Sequence, residues 1–415
     1  MKKLLAIFAL VIVIVIIAKA ILGGSGKINT IPDPHFTETG ELIKKPVTAK
    51  IDSNAVLRFY VESSGSMNGF FRNGIPTGFK HDVYDIMSYY SNVTKDINIM
   101  SDSGGIAGTM SLPQFQQAMN VGALQSNAST RVTTMLQSII SQLHSNEVAV
   151  LISDMKYSPV GLSAPAVLLS QYAAEIAKIA GNSNKSFCLI GAISNYVDRT
   201  GTTVAKSSPY YYLVIGDQDK VSFVRNGISS LLEKDSSYVD NMEFGYKYAQ
   251  VPYSFGIPKN VVQFEKQPSF AGYDDGMGYC EIPLKLHIEA YRWILADPNV
   301  LRESFSCKSL YGSKVLVTDI KVDVNNFTDQ KLERSAVATI RLKVSNMSLD
   351  TEVLEWNLKI PESETTSLNQ FFGATDENDL TKSYSIEQFI TGISQGGIVN
   401  TQPSPNYILI SKKNP

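Results

Sequence analysis

Phe59-Tyr60-Val61-Glu62-Ser63-Ser64-Gly65-Ser66-Met67 decides how this chain is read. An apolar run over residues 56–61 ends on a carboxylate, and hydroxyls follow it at the second and fourth positions beyond. On a turn leaving a strand, three such side chains aim their oxygens at one point above the sheet's carboxyl edge, where open α/β sheets bind ligands. A set made only of oxygens suits Mg²⁺ or Mn²⁺. Mg²⁺ keeps near-octahedral geometry at ~2.0–2.1 Å and retains several waters, so few protein groups suffice and a partner's oxygen can complete the shell.

Two stretches downstream extend the set. Ser129-Thr130 stands just before a segment in which Val132, Leu136, Ile139, Ile140 and Leu143 recur at helical spacing, so Thr130 presents its hydroxyl from the loop before a helix. Ser153-Asp154 closes the apolar run 148–152, so Asp154 emerges beside the first strand if the two are neighbours. Glu62, Ser64, Ser66, Thr130 and Asp154 are therefore the expected metal ligands, converging from three loops.

Around these positions short apolar runs take turns with helical stretches. Val224, Ile228, Leu231 and Leu232 keep helical spacing, whereas 148–152 and 210–215 are continuous apolar runs of strands covered on both faces. The expectation for residues 53–235 is an α/β domain with a doubly wound, largely parallel sheet. After about residue 236 aromatic, Pro and Gly residues interleave, and 315–324, 336–345 and 352–360 alternate apolar with polar. Residues 236–415 thus read as a β-rich, sandwich-like domain of antiparallel strands, with a candidate helix at 386–393 and a closing strand at 407–410.

The chain here resembles the von Willebrand factor type A family, whose integrin-like members carry a metal-ion-dependent adhesion site. The family's Asp-x-Ser-x-Ser is matched by Glu62, Ser64 and Ser66, its Thr by Thr130 with Leu136 six residues on, and its strand-end Asp by Asp154. The resemblance implies that the serines and the threonine ligate a cation directly, that the carboxylates act directly or through water, and that an acidic side chain of a protein partner fills the open position. Glu62 departs from the pattern by one methylene. The resemblance covers less than half of the chain and implies nothing about residues 236–415.

At the amino terminus, residues 4–17 are all apolar behind Lys2 and Lys3, and the run continues past Lys19 to Leu22. Nineteen positions at ~1.5 Å rise span roughly 28 Å, close to a hydrocarbon core, and Lys19 can snorkel. Two readings stand: an uncleaved membrane anchor, favoured by the length of the run, and a signal peptide cleaved near Ala18-Lys19-Ala20. Either places the bulk of the chain outside the cytoplasm, membrane-tethered or secreted. Residues 23–52, with Ile31-Pro32-Asp33-Pro34, read as a tether.

Composition narrows the function. The 415 residues allow two or three domains, and 44 % hydrophobic with 18 % charged residues excludes a disordered or fibrous chain. With 37 Lys and Arg against 39 Asp and Glu, the net charge of −2 recruits no nucleic acid. Three cysteines, Cys188, Cys280 and Cys307, cannot build a thiolate zinc cluster, and Cys280 and Cys307 are left open as a pair in an oxidising compartment.

Gly392-Ile393-Ser394-Gln395-Gly396 has the form of a hydrolase elbow, but His35, His81, His144 and His287 all precede Ser394, which rules out the order Ser, acid, His. A C-terminal turn is the preferred reading there. The four histidines keep no zinc spacing with one another or with Glu. The expected function is a non-enzymatic, extracytoplasmic binding module that engages a protein partner through Mg²⁺ or Mn²⁺. The alternative is a structural component of an envelope assembly with a metal-free type A fold.

Overall fold

A computed structural model describes residues 33–37, 40–44, 54–101, 104–126, 129, 131–157, 165–244, 250–264, 268–324, 336–359, 367–376, 378–397 and 404–412. The apolar segment 4–22 lies outside the described residues. Among the described residues, no helix is long and apolar enough to cross a membrane.

The first layer is built by β1 (Val56–Glu62), α1 (Gly78–Tyr89), β2 (Thr94–Met100), β3 (Ile106–Met110), α2 (Leu112–Asn120), α3 (Val132–Gln142), β4 (Glu147–Ser153), α4 (Pro165–Ser183), β5 (Ser186–Val197), β6 (Thr203–Gly216), α5 (Gln218–Lys234) and β7 (Tyr238–Phe244). The strands form one seven-stranded sheet in the order β3-β2-β1-β4-β6-β5-β7. Period-2 alternation in β1 sends Leu57, Phe59 and Val61 to the face covered by α1, α2 and α5, and Tyr60 to the face covered by α3 and α4. With both faces covered, β4 is buried along its whole length. Local signals start the helices: the Thr77 hydroxyl accepts from the Lys80 amide at the head of α1, and Ser111 with Gln114 forms a capping box before α2.

The sheet is mixed, which corrects the largely parallel expectation. Only β1–β2 and β1–β4 run parallel, while β2–β3, β4–β6, β5–β6 and β5–β7 are antiparallel. Continuous apolar runs report burial on two faces and carry no information about direction. Direction between β5 and β6 is set by the turn joining them, where the Asp198 carboxylate accepts from the Thr200 and Thr202 amides and Gly201 takes φ +88°.

Two further sheets follow: β12-β15-β16-β10-β9 and β13-β14-β11-β8. Their strands are β8 (Tyr253–Phe255), β9 (Val262–Gln263), β10 (Ser269–Ala271), β11 (Tyr279–His287), β12 (Phe305–Ser309), β13 (Lys314–Val324), β14 (Ala336–Ser345), β15 (Thr351–Leu358) and β16 (Asn406–Ser411). Alternate residues of β11, β14, β15 and β16, among them Leu284, Ile340, Trp356 and Ile408, share one core. Short helices α6 (Arg292–Leu295) and α7 (Pro298–Ser304) lie between β11 and β12. All three cysteines are free thiols, Cys280 and Cys307 standing in different sheets.

The two halves do not part at residue 235. β7 hydrogen-bonds to β5, and α8 (Ile386–Gly396) returns from the carboxyl end to lie on α4, with Phe389 and Ile393 in the same core as Tyr172 and Ile176. Inside the expected tether, Phe36 packs with Val353 and Leu409, and the Tyr311 hydroxyl donates to Asp33 at 2.6 Å. One apolar residue and one carboxylate are too sparse a signal to stand out from a spacer in sequence.

The Gly392-to-Gly396 string is neither an elbow nor a turn; it belongs to α8, whose Gly392, Ile393 and Gly396 face α4. A Cβ on Gly392 would stand 2.5 Å from the Ala173 carbonyl oxygen, and one on Gly396 2.1 Å from that of Ala177. Gly396→Ala sets a helix-propensity gain of about 1 kcal/mol against an overpacking cost of about 1–3 kcal/mol. Because the obstacle is backbone, overpacking wins, and the urea midpoint falls. The second tie is the ion pair of Arg225 on α5 with Glu243 on β7, both 1 % exposed, whose guanidinium also donates to the Ala290 carbonyl at 3.0 Å. Arg225→Met strands the buried Glu243 charge and is expected to cost about 3–5 kcal/mol. The double change with Glu243→Met recovers much of it in denaturant unfolding.

Candidate functional site

The site begins with register. β1 and β4 pair in parallel from Val56↔Glu147 to Val61↔Ile152, so the two strands end level and their exit turns stand side by side. Glu62, the last residue of β1, is buried, and its carboxylate accepts a hydrogen bond from the Ser153 hydroxyl at the end of β4. That Ser153 oxygen also accepts from the Met155 amide at 2.7 Å, holding buried Met155 at φ +54°. A non-glycine residue in that region costs on the order of 1–3 kcal/mol, so the surrounding contacts must hold it there.

The turn after β1 is pinned from a second side. The Ser63 hydroxyl donates to the Leu124 carbonyl at 2.8 Å, and Asn68 exchanges hydrogen bonds with the Ser126 backbone at 2.6 and 2.8 Å. Within this turn the Ser64 and Ser66 hydroxyls lie 3.1 Å apart, and the Ser66 hydroxyl stands near enough to the Asp154 carboxyl, from the other strand's exit, to favour its ionised form. Gly69 permits the turn's close approach to the Tyr196 ring, which a Cβ there would meet at 2.2 Å.

Asp154 is 1 % exposed. Burial pushes its carboxyl above the usual range, opposed by the charge of Lys156, the Ser66 hydroxyl and the Lys156 amide. The carboxyl-terminal segment closes this side of the site. The Ser383 hydroxyl donates to the Asp154 carbonyl at 3.1 Å, the buried Lys156 ammonium donates to the Asp379 carbonyl at 2.8 Å, and the Tyr157 amide donates to the Tyr384 carbonyl at 3.3 Å.

Of the five expected ligands, the structure brings Ser64, Ser66 and Asp154 near one another at the two strand exits. It gives the Glu62 carboxylate to Ser153, and Thr130 lies outside the described residues. Sequence reading passed over Lys156 and Ser383. Lys156 sits two residues beyond Asp154, where lysines are ordinarily solvated, and Ser383 arrives from more than two hundred residues away without any local signal.

Comparison of the chain with protein-family models, with curated proteins and with solved structures finds no match in any of the three.

Ser153→Ala removes the donor to Glu62 and the acceptor for the Met155 amide together. It is expected to lower stability by about 1–3 kcal/mol, read as a reduced midpoint in urea.

Proposed function

We propose that the chain is a membrane-tethered binding module, facing outside the cytoplasm, that engages a protein partner through a hard divalent cation at the exits of β1 and β4. The observation that carries this reading is the meeting of the Ser64, Ser66 and Asp154 oxygens on two turns that the sheet register sets side by side. Hydroxyl and carboxylate oxygens are the donors Mg²⁺ and Mn²⁺ prefer, and three of them leave coordination positions for water and for a partner's carboxylate. The same residues carry the resemblance to the type A family, in which Thr130 is the further ligand.

In this reading Glu62 acts as a positioning residue. Its carboxylate holds Ser153, and through Ser153 the backbone that presents Asp154. A cation offsets the cost that burial sets on ionising Asp154, so metal binding favours the ionised carboxyl. The apolar segment 4–22 supplies the membrane anchor, with Lys2 and Lys3 on the cytoplasmic side.

One observation favours the metal-free alternative: Lys156 already sets a positive charge against Asp154. In that case the fold serves as a structural part of an envelope assembly and the lysine stands where a cation would.

Magnesium separates the two. Under the adhesion reading, saturating Mg²⁺ raises the melting temperature of the full-length chain in detergent; a cation at one hundred times its Kd adds about 2.7 kcal/mol to the native state. Ser64→Ala and Asp154→Asn abolish the rise, and EDTA releases the partner. No rise at saturating Mg²⁺, with partner capture that survives EDTA, sinks the adhesion reading and leaves the metal-free one.

A further inference from the structure

A second group of ligating side chains lies away from Ser64–Asp154, between α1 and the end of α5. Asp82 is fixed twice: α1 is seated on β5 by hydrogen bonds from the Gly78 amide to the Asn195 side chain at 3.0 Å and from the Phe79 amide to the Ser194 hydroxyl at 2.8 Å. Its carboxylate is also gripped by the hydroxyl of fully buried Tyr210. Asp235 is the C-cap of α5, its amide bonded to the Leu231 carbonyl, and the next residue, Ser236, turns at φ +60° into β7. Both carboxylates thus stand on rigid elements.

His81 sits between them. Its Nδ1 is 3.3 Å from Asp235 Oδ2 and 3.8 Å from Asp82 Oδ1, and one ligand atom from each of the three residues falls within 4.8 Å of the other two. The shortest of those separations matches, and the longer one exceeds by about half an ångström, the roughly 3.3 Å edge of a tetrahedron whose ligands lie ~2.0–2.1 Å from a central zinc-sized ion. The other ring nitrogen, Nε2, faces Asp85 Oδ2 at 4.0 Å, one turn along α1. That is the outer carboxylate which, in metal sites, orients a ligating histidine and raises its basicity.

The charges point the same way. Asp82 is 2 % exposed, with the carboxylate of Asp235 beside it in the same group. Three carboxylates gathered about one imidazole make a site that a cation stabilises. One imidazole nitrogen with two carboxylate oxygens selects a first-row transition ion over Mg²⁺ or Ca²⁺. The His81 side chain is 60 % exposed, so the ion has a path in and a coordination position open to water.

We propose that His81, Asp82 and Asp235 bind one zinc-class divalent cation, with Asp85 orienting His81 from outside the coordination shell and a water in the open position. The site braces α1 against the end of α5. It rests on none of the residues assigned to the Mg²⁺ reading.

Co²⁺ is the probe, because its visible absorption reports imidazole and carboxylate coordination directly. It is titrated into the full-length chain, stripped with EDTA and then held in excess Mg²⁺ so that any oxygen-only site is occupied. Expected are one equivalent of Co²⁺ with a ligand-field band, and loss of at least about tenfold in affinity in His81→Gln and in Asp235→Asn. Ser64→Ala keeps both band and affinity. His81 is exposed and the melting temperature in EDTA verifies folding of each variant, so Asp82→Asn, which disturbs the core, is not needed. Co²⁺ uptake unchanged in both His81→Gln and Asp235→Asn, or no stoichiometric uptake by the parent chain, overturns the proposal. Loss of Co²⁺ binding in Ser64→Ala with retention in His81→Gln overturns it as well, and assigns the ion to the other site.

Discussion

Everything at the candidate site follows from the parallel register of β1 and β4. Because Val61 pairs with Ile152, the carboxylate that ends one strand and the hydroxyl that ends the other arrive at the same height, and the turns beyond them share one edge. A slip of one residue would turn Glu62 and Tyr60 toward the opposite face and part Ser66 from Asp154. The hydrophobic pattern prevents it. Leu57, Phe59 and Val61 must face α1, α2 and α5 while Tyr60 faces α3, so the core that stabilises the sheet also sets the geometry of its edge.

The carboxyl-terminal segment adds a second constraint. Residues 379–384 bond to Asp154, Lys156 and Tyr157, twice at backbone and once at the Lys156 ammonium, and α8 anchors that segment to α4 through glycine-permitted contact. The part of the chain that reads as a separate β-rich unit therefore contributes structure to the first layer. Around Asp154 two physical effects oppose each other. Burial disfavours the ionised carboxyl, while Lys156 and Ser66 favour it.

Much of the fold is legible in the residues themselves. Helical spacing at Leu136, Ile139 and Ile140, the two-sided burial of 148–152 and the wet-face alternation at 340–344 each come from local periodicity, and each element stands where that periodicity places it. The positions of Ser64, Ser66 and Asp154 at strand exits were legible for a related reason: each follows directly on a run whose periodicity marks a strand. Lys156, Ser383 and the His81–Asp82–Asp235 group were not. Their partners are supplied by elements far along the chain, and no local spacing encodes that meeting.

By itself the sequence determined what most of the described stretches become: strand or helix. Periodicity and capping act over a few residues, so they are written locally. Only the tertiary structure decided strand direction, the membership of β7 and α8 in the first layer, the capture of Glu62 by Ser153 and the approach of Lys156 to Asp154. Those outcomes depend on which surfaces bury one another, and burial is a property of the whole chain rather than of any window of it.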